Sequence, residues 1–456
     1  MKDNISIIGA GLVGSLWAIL LRKRGFAVKI YEKRPDMRRS GNDIGRSINL
    51  VITSRGMHAL HQAGLLDQVL AISVPVYGRM IHSKTGEQIY QAYGKESERN
   101  FSISRSALNT FLLNQAEAAG AKIHFDHVLE RIDFEQQNLK FTNGNRENYG
   151  LLFGTDGAGS LVRKNLVQQF PEKCTEKSTW LEVDYKEMYM PAPNNLDKKA
   201  LHIWARGSHM MMALANLDGS FTVTLYLPKA GDNSFEKLEN ASEIEAFFKA
   251  EFSDAIPLMP DYIQQFESNT QGSLGTIRCS NWTHGDCVAL LGDAAHAIVP
   301  FFGQGMNSGF EDCTNFLKIF DKENGDWATT LFKYNETQRP NGNAIADMAI
   351  ENWHEMSEKV ADPKFQLRKK AEALIEKNFP EIFKSRYGMV TYTLIPYHLV
   401  QKAGLIQEKI FAELLSGVMN IDDVSIDRAK ALLMRDYLPF LKESKILPPQ
   451  QPNSMT

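Results

Sequence analysis

The segment that most constrains this chain is its opening, Ile5 to Glu32. Ile5-Ser6-Ile7-Ile8 is a short, β-rich apolar run that breaks into Gly9-Ala10-Gly11-Leu12-Val13-Gly14, the spacing G-x-G-x-x-G. Helical periodicity follows from Leu12 to about Arg24, with Leu12, Leu16, Ile19 and Leu20 on one side. Gly25 stands where a glycine ends a helix. Ala27–Tyr31 reads as a second strand, finishing at Glu32. Strand, glycine turn, helix, strand and acid together make a complete βαβ dinucleotide fingerprint. The glycines permit a tight turn, close backbone approach to a pyrophosphate and close helix–strand packing. The helix start offers free N–H groups and a partial positive charge. Glu32 is placed to accept hydrogen bonds from ribose hydroxyls. A glycine-rich turn in an ordinary α/β unit is the weaker reading, because every flanking element is present.

A chain of 456 residues has room for a large core in two packed domains or one compound domain. A net charge of −3 implies no general attraction to nucleic acid or to an anionic membrane. Lys33, Arg34, Arg38 and Arg39 form a local basic cluster. For Lys33 and Arg34, contact with a phosphate or adenosine and a solvated loop are evenly balanced; Arg38 and Arg39 read as solvated. Cys174, Cys279, Cys287 and Cys313 match neither a C-x-x-C pair nor zinc spacing. So few thiols point to a reducing compartment, and the expected place is the cytoplasm. The chain enters its first strand without a signal-like segment. No window approaches the roughly 18 apolar residues of a membrane span, and Leu399–Met419 reads as amphipathic helix. Residues 447–456, with Pro448, Pro449 and Pro452, read as a disordered tail.

Further along, helices are expected over Ser54–Leu66, after Ser104-Arg105, from Arg163, over Asn240–Glu251, from Ser308 to about Phe320, and over Ala344–Val360, Phe365–Leu374 and Leu399–Leu415. Val76–His82 and Gln88–Ala92 flank the turn chemistry of Ser83–Glu87, which predicts a hairpin. With the loop centred on Thr85, Arg79 lies opposite Gln91, and Tyr93 falls on the same face. Ala121–Phe125, His127–Asp133 and Leu139–Thr142 read as short strands, and Ser280–Asp286 as a turn region. Leu201–Ala205, Met210–Ala215 and Phe221–Leu227 alternate without long helices between them, which predicts an antiparallel sheet separate from the parallel βαβ part. Two more strands end in Asp-Gly chemistry. One runs from Tyr149 to Thr155-Asp156-Gly157-Ala158-Gly159-Ser160, the other from Cys287 to Gly292-Asp293-Ala294-Ala295-His296. After the second, Pro300-Phe301-Phe302-Gly303-Gln304-Gly305-Met306-Asn307 leads into a helix whose first amides can face an anion or a flavin edge.

In this order, G-A-G-L-V-G with Glu32, T-D-G-A-G-S-L-V-R and L-G-D-A-A-H-A resemble the single-component FAD-dependent aromatic hydroxylases. That resemblance implies a Rossmann-type α/β FAD-binding part (1–75, 94–176 and 278–330). It also implies an interleaved antiparallel substrate sheet (76–93 and 177–277) and a C-terminal helical region (331–446). It implies that Gly9, Gly11, Gly14, Glu32, Arg105 and Asp293 hold FAD, and that Asp156 supports the pyrophosphate and NADPH region. Lys33, Arg34, Leu129, Gly305, Met306 and Asn307 complete the cofactor candidates. No second G-x-G-x-x-G occurs, so NADPH is expected to dock transiently on the surface.

The segments G-R-S-I-N-L, Y-G-R-M-I-H, P-F-F-G-Q-G-M-N, E-N-W-x-E-M and R-Y-G-M-V-T narrow the resemblance to the branch that hydroxylates L-kynurenine. They imply that Arg79 and Tyr93, helped by Tyr387, hold an amino-acid carboxylate. Asn352 would add a polar contact, while Phe301, Phe302, Met356, Leu214 and Tyr226 would line a ring pocket. Taken alone, Arg79 reads as a surface ion pair and the tyrosines as core packing. Asn352 and Met356 share a helix face by their spacing. The implied reaction is NADPH-driven hydroxylation with O₂ through a flavin C4a-hydroperoxide, gated by substrate. It needs no protein nucleophile, so His296 carries no catalytic role. The alternatives are a hydroxylase of the same class acting on another amino- or hydroxy-aromatic acid, and a non-catalytic FAD-binding interaction protein. The W-x-W-x-I-P segment of a flavin halogenase is absent.

Overall fold

A computed structural model describes residues 4–39, 49–95, 98–192, 195–359 and 362–446. Gly45–Ile48, part of one motif quoted above, and the 447–456 tail lie outside these residues.

The opening fingerprint folds as its pattern dictates. Asn4–Ile8 pairs in parallel with Ala27–Tyr31 on one side and Leu151–Gly154 on the other. Helix Leu12–Lys23 connects the first two strands and buries Leu12, Leu16, Ile19 and Leu20. Six strands form this sheet, in the order Thr283–His284, Val288–Leu290, Leu151–Gly154, Asn4–Ile8, Ala27–Tyr31 and Lys122–His124. All pairs are parallel except the edge pair Thr283–His284 with Val288–Leu290. Apolar runs such as Ile5-Ile7-Ile8 and Leu151-Leu152-Phe153 are fully buried, as a sheet covered on both faces requires. Trp17, Phe153 and Phe316 meet edge to face at 5.1–5.6 Å beneath it.

The second sheet has seven strands: Gln271–Cys279, Glu176–Met190, Phe221–Pro228, Met210–Ala215, Ala200–Ala205, Gly78–His82 and Gln88–Ala92. Its pairs are antiparallel except one. Ala200–Ala205 runs parallel to Gly78–His82, because the early hairpin joins the sheet through a long crossover. The hairpin register is Arg79 opposite Gln91. One face packs on helices Ala241–Glu251 and Tyr262–Ser268, through Phe248, Phe252, Tyr262 and Phe266. The other meets the C-terminal helices through Tyr226, Phe301, Trp353 and Met356.

Several boundaries differ from the sequence reading. The expected strand Val76–His82 splits into Val74–Val76, which pairs with Asn100–Ser104, and Gly78–His82. Helix Ser54–Ala63 stops short of Leu66, because Gly64 takes φ +72° and turns the chain into Leu66–Ala71. The helix expected from Ser308 starts at Gly305. The helix expected over Ala344–Val360 is the later part of Trp327–His354, which continues as a π-turn, Glu355–Lys359. Pro340 lies inside that helix. Beside it, a Cβ on Gly342 would stand 2.6 Å from Trp282, so glycine here lets the indole pack against the helix. The long strand Glu176–Met190 and its partner Gln271–Cys279 carry weak alternation, and their register shifts between Trp180 and Asp184.

Candidate functional site

Between the two sheets runs a continuous cleft of about 960 Å³. One limb is made mainly of backbone. Gly9 has φ +101°, and a Cβ there would meet the Thr155 carbonyl at 2.7 Å. Gly11, Gly157 and Gly159 line the cleft with nothing within 4 Å of where a Cβ would stand, so the chain is open to a ligand at these points. Helix Leu12–Lys23 starts at Gly11, and helix Gly305–Lys322 at Gln304, without a side-chain cap on either. Elsewhere Ser104, Ser160, Asn240 and Asp326 cap helix starts with their side chains. The uncapped amides leave donors and positive dipole ends available to an anionic group.

Glu32 lines the same limb. Its Oε2 accepts from the Ala10 amide at 2.8 Å, and its Oε1 from the Arg34 amide at 3.0 Å and Arg34 Nε at 2.8 Å. Burial pushes the carboxyl up, but the Arg34 hydrogen bond and charge and the Ala10 amide outweigh it, so the group sits below the usual carboxylate range. Asp156 accepts from the Leu161 amide at 2.7 Å and from the Ser160 hydroxyl, closing the glycine turn onto the next helix. Its burial raises the carboxyl above the usual range despite these bonds. Lys33, Arg34, Arg105, Leu129, Asp293, Gly305 and Met306 also line the cleft. Open glycines, two uncapped helix starts and a buried acid at the end of the second strand fit a dinucleotide such as FAD.

The other limb is made of side chains. Arg79 and Tyr93 project from the hairpin, and Tyr387 comes from helix Arg386–Tyr392. The Arg79 guanidinium lies 5.5 Å from the Tyr93 ring centroid and 5.0 Å from that of Tyr387. The two rings stack with centroids 5.5 Å apart. Arg79 Nε is buried and has no hydrogen-bond partner among the described residues. A guanidinium in this setting, with neutral aromatic neighbours, is suited to a bidentate carboxylate. Burial pushes the Tyr93 hydroxyl up, so it is a protonated donor at neutral pH. Phe301, Phe302, Met356, Leu214 and Tyr226 line the same limb. Phe301 packs on Tyr226 at 5.2 Å and on Trp353 at 4.4 Å, and Phe302 stacks on Tyr387 at 5.8 Å.

Three predicted residues do not line the cleft. Gly14 lies beneath it, where a Cβ would be 2.0 Å from the Gly9 carbonyl oxygen; it sets helix–strand contact. Asn307 is buried and pins the neighbouring strand. Its Oδ1 accepts from the Thr53 amide at 2.9 Å, and its Nδ2 donates to the Val51 and Gly303 carbonyls, each at 2.8 Å. Asn352 Nδ2 donates to the Phe301 carbonyl at 2.7 Å and so fixes the Pro300–Phe302 turn. His296 is also buried away from the cleft, 2.6 Å from Asp312 and stacked on Trp282. Asp312 outweighs the cost of burial and keeps the imidazole protonated to higher pH than usual.

A protein-family model described as an FAD binding domain matches residues 2–349. Over 453 residues the chain is 43% identical to kynurenine 3-monooxygenase of Myxococcus xanthus, covering 97% of each. It is 41% identical to the enzyme of the same name from Flavobacterium psychrophilum, over 92% of this chain and 95% of that protein. The chain belongs to the kynurenine 3-monooxygenase family. Solved structures more distant in sequence share the fold. 2-Methyl-3-hydroxypyridine-5-carboxylic acid oxygenase superposes with a TM-score of 0.66 at 19% identity, over 79% of this chain and 94% of that one. PqsL of P. aeruginosa, solved with 2-aminobenzoylacetate, gives 0.62 at 17% identity, over 77% and 97%.

For a member of the kynurenine 3-monooxygenase family, the sequence reading missed several polar lining residues. Asn100, Thr391, Thr222 and Thr224 all face the cleft. Asn100 is the first residue of strand Asn100–Ser104, and only its hydrogen bond to Tyr387 marks it out. Among the described residues, no helix is long and apolar enough to cross a membrane.

Proposed function

We propose that this protein hydroxylates L-kynurenine at the ring carbon next to the amino group, giving 3-hydroxy-L-kynurenine and water from O₂ and NADPH. The observation that carries this reading is Arg79, a guanidinium with no carboxylate partner among the described residues, set against the stacked rings of Tyr93 and Tyr387 in a cleft whose other limb fits FAD. FAD, when bound, supplies the redox and oxygen-activating chemistry. Gly9, Gly11, Glu32, Arg105, Asp293, Gly305 and Met306 hold it, with Gly14 and Asn307 shaping the backbone around it. Lys33, Arg34, Leu129 and Asp156 flank the same limb. The segments 1–75, 94–176 and 278–330 form its binding unit, and 76–93 with 177–277 the substrate sheet. NADPH visits from the surface.

Arg79 grips the substrate carboxylate, and the hydroxyls of Tyr93 and Tyr387 complete the clamp. Phe301, Phe302, Met306, Met356, Leu214 and Tyr226 enclose the aryl ring and exclude water, which would otherwise divert reduced oxygen to hydrogen peroxide. Asn352 acts by holding the Phe301 carbonyl. The ring amino group activates the attacked carbon electronically, so the chain supplies position and dryness and no acid–base residue is required. A reducing cytoplasm is the proposed setting.

The test is a ligand screen on the purified holoenzyme. Yellow protein should consume NADPH faster with L-kynurenine, and product should form in matching amount. A protein that takes up no FAD, or that responds only to a different aromatic acid, overturns the reading.

A further inference from the structure

We propose that Asn100 is a specificity-determining residue that accepts the α-ammonium group of the substrate; this rests on the L-kynurenine reading above. Asn100 opens strand Asn100–Ser104, is 2% exposed and lines the cleft. Its Nδ2 donates to the Tyr387 hydroxyl at 3.4 Å. Its Oδ1 is buried with no hydrogen-bond partner among the described residues. A buried amide oxygen without a donor is costly, and a ligand donor removes that cost.

The complementary orphan is Arg79 Nε. Both residues meet Tyr387, Asn100 at the hydroxyl and Arg79 over the ring at 5.0 Å. An orphan donor for a carboxylate and an orphan acceptor for an ammonium thus flank one tyrosine, matching the two charges carried on a single α-carbon. Among the described residues, no carboxylate lines the cleft beside Asn100. The carboxylates lining the cleft, among the described residues, are Glu32, Asp156 and Asp293, which belong to the glycine-lined limb. Glu98, close in sequence, is engaged by Lys384 and by the Lys95 amide. A neutral acceptor suits this position, since a carboxylate sharing Tyr387 with Arg79 would compete with the substrate carboxylate for that cation.

The experiment compares L-kynurenine with its des-amino analogue, 4-(2-aminophenyl)-4-oxobutanoate, on the FAD-loaded enzyme, reading KM or inhibition constant for each. Asn100→Ala should raise the KM for L-kynurenine at least tenfold and move the analogue by less than threefold. Asn100→Asp, nearly isosteric, should do the opposite to selectivity. It weakens the analogue, which has no ammonium to offset the new charge, more than it weakens L-kynurenine. Equal losses for both ligands in both variants, with flavin content intact, would mean that Asn100 only positions Tyr387 and would overturn the assignment alone. A wild-type enzyme indifferent to L-kynurenine overturns the substrate reading and this assignment with it.

Discussion

The two limbs of the cleft are built on opposite principles. The limb proposed for FAD is mainly backbone: open glycines at Gly11, Gly157 and Gly159 and two helix starts without caps. The limb proposed for the substrate is side chain: Arg79 and Tyr93 from a hairpin, Asn100 from a neighbouring strand, Phe301 from a short turn, Met356 after the long helix and Tyr387 from a later one. Backbone donors are placed by local turns and need only short contiguous motifs. Side-chain pockets need distant segments to converge, so single changes there should alter what is bound more than whether the chain folds.

The contrast can be broken most severely at Gly14. A Cβ there would collide with the Gly9 carbonyl oxygen at 2.0 Å, which no rotamer relieves. Gly14→Val should cost roughly 3 kcal/mol or more and abolish flavin retention, read by absorbance per protein and thermal unfolding. Next is Arg79→Ala. Loss of a buried charged partner costs about 2–5 kcal/mol of binding, so the KM for L-kynurenine should rise about thirtyfold or more with flavin content unchanged. An unchanged KM would break the clamp, and lost flavin would break the separation of limbs.

Asn352→Ala tests a link inside the substrate limb. It leaves the Phe301 carbonyl without its 2.7 Å donor, a loss of about 1–3 kcal/mol. The expected result is more hydrogen peroxide released per NADPH oxidised, with a smaller change in KM than at Arg79. The mildest test is Glu32→Gln. The Glu32 carboxyl titrates below its ordinary range in the folded protein, so the folded state keeps it ionised where the unfolded chain has begun to protonate. Its contribution is full at neutral pH and fades as pH falls through the folded value. Melting temperature measured from pH 7 downward should therefore decline less steeply in the variant than in the wild type.

Legibility of the sequence followed the same divide. The fingerprint from Asn4 to Glu32 was readable because strand, turn, helix and acid are adjacent in sequence. Arg79 and Tyr93 could be placed on one face because a hairpin register follows from its turn, and Arg79 does lie opposite Gln91. The helix expected from Ala344 begins seventeen residues earlier, at Trp327, and runs through Pro340, with Gly342 packed close against Trp282. The one parallel pair in the second sheet was hidden because Gly78–His82 and Ala200–Ala205 are far apart in the chain.

By itself the sequence determined a dinucleotide-binding βαβ start, the two later strand ends at Asp156-Gly157 and Gly292-Asp293 and the order that ties them to one family. Those features depend on glycine conformation and short-range periodicity, which neighbouring residues set. Only the tertiary structure decided that Asn352 and Asn307 hold backbone carbonyls beside the cleft, that His296 is buried against Asp312, and that Asn100 faces the substrate limb. Each of these depends on which partner a polar group meets once water is gone, and that is fixed by packing across the whole chain.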